Sequence, residues 1–163
     1  MYESWLADHV SAQKRGYQHG TSFARAIDEL ERGRKQTDWV WYVFPQWVGL
    51  GRSPEVQRFG VPSVEAAMEY LGHVTLRANY LTAVSITHSH LASGKHLTQI
   101  VGSLDSRKFV SSLTLMELVV GQKESSDDLQ VQVNGALLVA QEQGFDRCEP
   151  TLNWAKTHKP RGA

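Results

Sequence analysis

Residues 63–72 read SVEAAMEYLG. Ser63 has the short side-chain oxygen that accepts hydrogen bonds from the unpaired amides of a helix start. Val64, Ala67, Met68 and Leu71 follow at helical spacing and make one apolar face. Gly72 stands where a glycine can take the left-handed conformation that closes a helix end. The stretch predicts a short amphipathic helix, and its grammar recurs along the chain. Thr21 or Ser22 precedes the stripe Phe23, Ala26, Ile27 and Leu30, which ends at Gly33. Ser53, Pro54 and Glu55 open a segment with Val56 and Phe59 that ends at Gly60. Thr75 leads into Leu81, Val84, His88 and Leu91, then Gly94. Asp105 precedes Phe109, Ser112, Leu113, Met116 and Val120, then Gly121. Asp127 or Asp128 precedes Leu129, Val133, Ala136, Leu137 and Ala140, then Gly144. Strand-like alternation with tight Asn-Gly or Asp-Gly turns is absent. These signals predict an all-α, single compact domain of about six to eight short helices. The domain is expected over residues 1–155, with a loose C-terminal tail at 156–163.

Composition bounds the function. A chain of 163 residues is long enough to bury one real core. Lys+Arg and Asp+Glu number 17 each, so bulk charge does not drive nucleic-acid binding. No apolar run reaches the length of a membrane span, so no membrane partner is expected. The start, MYESWLADHVSAQK, lacks the charged-then-apolar order of a signal peptide. The single Cys148 permits neither an internal disulfide nor a multi-cysteine zinc site. These features predict a cytoplasmic protein with no cofactor.

Residues 39–47, WVWYVFPQW, hold three of the five tryptophans. Thr37 or Asp38 can cap a helix beginning at Trp39. Residues 39–44 are apolar on every side, which predicts a helix buried all round. Pro45 breaks it, because a proline in a helix interior removes a hydrogen bond. Buried indole N–H and phenol O–H groups need partners. Aromatic walls with a few converging polar groups also make small-molecule pockets. The block therefore reads as core, with a site expected at its end, around Phe44, Pro45 and Gln46.

The segment GRKQTDWVWYVFPQWVGLGRSPEVQRFGV resembles the bacterial domain-of-unknown-function 1810 family, whose members read close to G-R-K-x-S-H-W-M-W-F-x-F-P-Q-x-x-G-L-G-x-S. VEAAMEYLGH, VGSLDSRKFVSSLTL and GFDRCEPTL resemble further family segments, so the similarity spans residues 12–152. The resemblance implies a single all-helical domain and carries no settled activity. Some members bear the label "calpastatin", but nothing in the residues supports protease inhibition. Asp38 stands where the family usually has His, and Val74 where it has Pro.

The candidate ligand-binding residues are Lys35, Trp39, Trp41, Gln46, Arg52, Ser53, Lys108 and Ser112. Lys108 and Ser112 are four apart on one helix and share a face. Basic residues near the helix starts at Ser53 and Asp105 suit an anion, since helix N-termini present free amides. The leading expectation is a small-molecule binding protein or enzyme for an anionic, nucleotide-like ligand. Trp39 or Trp41 would stack the ring, Gln46 would read its edge, and Lys35, Arg52 or Lys108 would take a phosphate. The alternative is a non-catalytic protein-interaction module with the aromatic block as core. A third reading places a metal at THSHLASGKH. His88 and His90 are two apart, which sends them to different helix faces, and further ligands are not evident. Cys148 has no evident base beside it. No Walker loop, dinucleotide fingerprint, nucleophile elbow or HExxH motif occurs.

Overall fold

The computed structural model describes residues 1–18, 20–121 and 127–158. Among them are ten α-helices: α1 (Glu3–Arg15), α2 (Phe23–Glu31), α3 (Val40–Val43), α4 (Pro54–Phe59), α5 (Val64–Gly72), α6 (Val74–Ala92), α7 (Leu97–Val101), α8 (Ser103–Val120), α9 (Asp128–Glu142) and α10 (Glu149–Thr157). A 3-10 turn, Val48–Leu50, follows α3. The described residues contain no strand beyond a single parallel bridge between Trp47 and Val61. The all-α expectation is met. Residues 159–163, the end of the expected tail, lie outside the described residues, and α10 runs on to Thr157.

Four of the expected caps form. The side chains of Ser22, Ser53, Ser63 and Asp127 accept from the amides of Arg25, Val56, Ala66 and Gln130. Three helices fall outside the cap-and-glycine grammar. α1 and α10 have no side-chain cap, and α7 is capped by His96. Two caps differ from expectation. His73, not Thr75, caps α6. α8 begins two residues before Asp105, with Gly102 at the cap position and no side-chain cap. Asp105 therefore lies in the first turn, free to pair elsewhere. The closing glycines also divide. Gly33 has φ +74 and turns the chain sharply out of α2, whereas Gly72 is simply the last residue of α5.

The aromatic block is the centre of the molecule. α3 is only one turn long, yet it packs against α1, α4, α6 and α8. Trp39, Tyr42 and Phe44 are buried, and Phe44 meets Phe109 of α8 edge-on at 4.9 Å between ring centroids. Neither Thr37 nor Asp38 caps α3. The Thr37 hydroxyl instead donates to Glu29 and accepts from Thr21.

Glu29 organises the loop that enters this block. Its side chain is 2% exposed, so its charge must be compensated; Arg25 Nε lies 3.6 Å from the carboxylate, and hydrogen bonds supply the rest. Its carboxylate accepts from the amides of Gln36 and Thr37 at 2.7 and 2.9 Å. It also accepts from the Thr37 hydroxyl at 2.6 Å and the Trp39 indole at 2.9 Å. Burial acts to raise its pKa, but the bonds from Thr37, Trp39 and Gln36 outweigh that and hold it below the usual range. Residues 36–39 are thus wrapped around one buried anion.

The far side of the block is fixed by backbone contact. Val61 donates to the Gln46 carbonyl at 2.8 Å, and Val48 donates to the Val61 carbonyl at 3.0 Å. Gly60 permits this approach. A Cβ there would lie 2.5 Å from the Val56 carbonyl oxygen and 2.7 Å from the Val48 Cα. Both are backbone atoms, so Gly60→Ala must push α4 and the 3-10 turn apart. The expected loss is about 2 kcal/mol, measured as a lower urea midpoint with an unchanged slope.

Candidate functional site

The N-terminal end of α8 is open. The first amides of a helix have no intrahelical acceptor, and here no side chain covers them. Against this end lies the loop organised by Glu29. The Lys35 amide donates to the Ile100 carbonyl of α7 at 2.7 Å, which pins the loop beside the α7–α8 junction. Lys35 then reaches Asp105 Oδ2 with its Nζ at 2.8 Å, and Lys108 reaches Oδ1 of the same carboxylate at 3.1 Å. One carboxylate is thus held between two ammonium groups, and the exposed Asp38 lies on the same rim. Lys35 Nζ stands 5.2 Å from the Trp39 ring centroid, and Lys108 Nζ stands 5.9 Å from that of Trp41.

Two grooves meet here. The first, about 430 Å³, is lined by Lys35, Gln36, Asp38, Trp41, the Gly102–Asp105 turn and Lys108. The second, about 610 Å³, runs past Gln46, Arg107, Ser111, Phe145 and Cys148. Lys108 and Leu104 belong to both walls, and Leu104 is 87% exposed at the shared rim.

The structure gathers four of the expected site residues around these grooves: Lys35, Trp41, Gln46 and Lys108. It places four elsewhere. Trp39 is fully buried, with its indole committed to Glu29. Ser112 is fully buried and bonded to the Tyr80 hydroxyl at 2.9 Å. Ser53 caps α4, and Arg52 is exposed beside it; neither lines either groove.

A family model described as a protein of unknown function, DUF1810, matches residues 4–137. The chain belongs to the DUF1810 family. A conserved hypothetical protein from Mycobacterium tuberculosis, known from a crystal structure, is similar to it with a TM-score of 0.75 and 29% identity. The match covers 91% of this chain and 94% of that one. No curated protein matches the chain.

Asp38 and Val74, the two departures singled out in the sequence, are exposed. Asp38, in place of the usual His, sits on the rim of the first groove, with its backbone carbonyl accepting from Thr21 and Tyr42. Val74, in place of Pro, is the first residue of α6 and 85% exposed. The histidines of THSHLASGKH are held apart. His88 bonds Gln132 on α9, and His90 faces the Glu31 carbonyl. Among the described residues, no group of three or more His, Cys, Asp or Glu is arranged to hold a metal. No helix among them is long and apolar enough to cross a membrane. Sequence reasoning missed Asp105 as the pivot of the site and Glu29 as the anchor of its loop. The spacing of Asp105 and Lys108, three apart on one helix, was the available signal for the first.

Proposed function

We propose that this protein binds a small anionic ligand with an aromatic ring, of the nucleotide class, at the open end of α8. The observation that carries the reading is the convergence of Lys35, Lys108 and Trp41 on that helix end. The free amides of the first turn and the positive dipole end favour an anion. Lys108 is one-third exposed and can leave Asp105 for a phosphate, while Lys35 keeps the carboxylate neutralised. Trp41 offers a half-buried indole beside this point, suited to a base or another flat ring. The second groove, with Gln46 on its wall, gives the rest of such a ligand a place to extend. A single half-buried cysteine suits a reducing, cytoplasmic setting.

The test is calorimetry with ADP, UDP-glucose and inorganic pyrophosphate on the wild type, Lys108→Ala and Trp41→Leu. Lys108→Ala is expected to weaken the best ligand about tenfold, the loss of one charge-assisted contact of about 1.4 kcal/mol. Trp41→Leu should weaken ADP while leaving pyrophosphate nearly unchanged. A protein that binds none of the three, or binds equally well in both variants, contradicts the reading.

A further inference from the structure

The exposed face of α1 carries an acidic residue at one end and basic residues at the other. Glu3, Ala7, Ser11 and Lys14 recur at helical spacing on the exposed side of α1, flanked by Leu6 and Val10, which pack in part against the core and leave the rest of their surface open. They line a shallow groove of about 550 Å³ together with Arg15 and His73. Ala7, Ser11 and Lys14 are exposed, Leu6 and Val10 half-buried. An acid stands at one end, a base at the other, and small or apolar residues lie between. Their positions are symmetric about the Asp8–His9 peptide bond: Glu3 mirrors Lys14, Leu6 mirrors Ser11, and Ala7 mirrors Val10.

That symmetry matters because an isologous contact places residue i against j and j against i. We propose that α1 pairs antiparallel with α1 of a second copy of this chain, about a two-fold axis passing level with that peptide bond. Glu3 of each copy then meets Lys14 of the other, at contacts about 16 Å apart along the helix. Ala7 and Ser11 are small enough to let the helices approach, and Leu6 and Val10 fill the centre. The parallel arrangement is excluded by charge, since it would place like against like at both ends. Met68, 43% exposed, lines an adjoining hollow with Leu6 and His73 and comes under the partner's helix. Glu3 already contacts the Met1 ammonium at 2.7 Å, but both groups are more than four-fifths exposed. Such a pair is held weakly and does not prevent exchange for a partner's lysine.

Sedimentation equilibrium on the whole chain tests this. A reversible dimer is expected, with a dissociation constant on the order of tens of micromolar for so small a surface. It should weaken as salt is added. Glu3→Lys sets one ammonium against another at both ends, because Lys14 is unchanged, and should weaken association at least about tenfold. Lys14→Glu should do the same by setting acid against acid. Mixing the two single variants removes the like-charge clash from every heterodimer, so association should recover in the mixture, as it should in the double variant. Circular dichroism confirms that each variant folds. A chain that stays monomeric at concentrations on the order of 300 µM overturns the proposal. So does a dimer indifferent to either reversal, or variants that do not recover when mixed.

Discussion

Replacing Glu29 with alanine is expected to lower stability by about 4 kcal/mol, among the largest losses available to one substitution in this fold. The carboxylate is buried and accepts four hydrogen bonds from Gln36, Thr37 and Trp39. Its removal strands the Trp39 indole N–H in the core, beside a loop whose amides lose their acceptor. Thermal unfolding should fall by roughly 10 °C or more for a chain of this size. Glu29→Gln keeps an oxygen for the amides and the indole, so its loss should be less than half as large. The folded state holds this carboxyl below its usual pKa, so its contribution is present above the unfolded value and fades as pH falls through the folded one. Equal losses in the alanine and glutamine variants would show that the bonds to Trp39 and the loop amides matter little.

His9 should give the second large effect, read as a pH dependence. Its ring is fully buried between Trp5, Phe59 and Tyr70, with centroids 4.8 to 5.2 Å away. Nε2 donates to the Phe59 carbonyl at 2.9 Å, and Nδ1 has no hydrogen-bond partner. Burial pushes the pKa down from 6.5 to about 4, and the carbonyls of Phe59 and Tyr42 oppose this only in part. Above pH 6.5 the ring is neutral whether the chain is folded or not. Between 6.5 and 4 the unfolded chain takes up the proton and the folded one does not. Folding stability therefore falls as pH drops through that window, by about 3 kcal/mol in total. The measurement is denaturant unfolding at half-unit pH steps for the wild type and His9→Gln, which keeps a donor for Phe59 but cannot titrate. The difference between the two curves should shrink on acidification. Parallel curves would mean that His9 takes up its proton at the same pH in the fold as in the unfolded chain.

Most of the fold was legible in the sequence because local chemistry and burial agree there. Ser22, Ser53, Ser63 and Asp127 cap the helices that their position predicts. The core buries most of the stripes behind them; Met68 is the departure, 43% exposed, while Ala66 and Tyr70 of the same helix are buried in its stead. What escaped was set by tertiary contact. α1, α7 and α10 lack a Ser, Thr or Asp cap and form because their faces pack. Asp105 looks like a cap in sequence, yet the chain gains more by starting α8 earlier and giving that carboxylate to two lysines. The candidate site was half legible. Residues flanking the aromatic helix do converge, but Trp39 and Ser112 carry polar atoms that the core satisfies internally. A sequence shows a polar group; it does not show whether the partner is a ligand or a Glu29 ten residues upstream.

The most direct measurement is a titration of the isotopically labelled protein with ADP, followed by the amide and indole resonances. Binding at the open end of α8 predicts that the amides of Gly102, Ser103 and Leu104 move first and together. The Trp41 indole should move with them, while the Trp39 indole, bonded to Glu29 in the core, should stay in place. Shifts centred elsewhere, or none at all at millimolar nucleotide, would contradict the account.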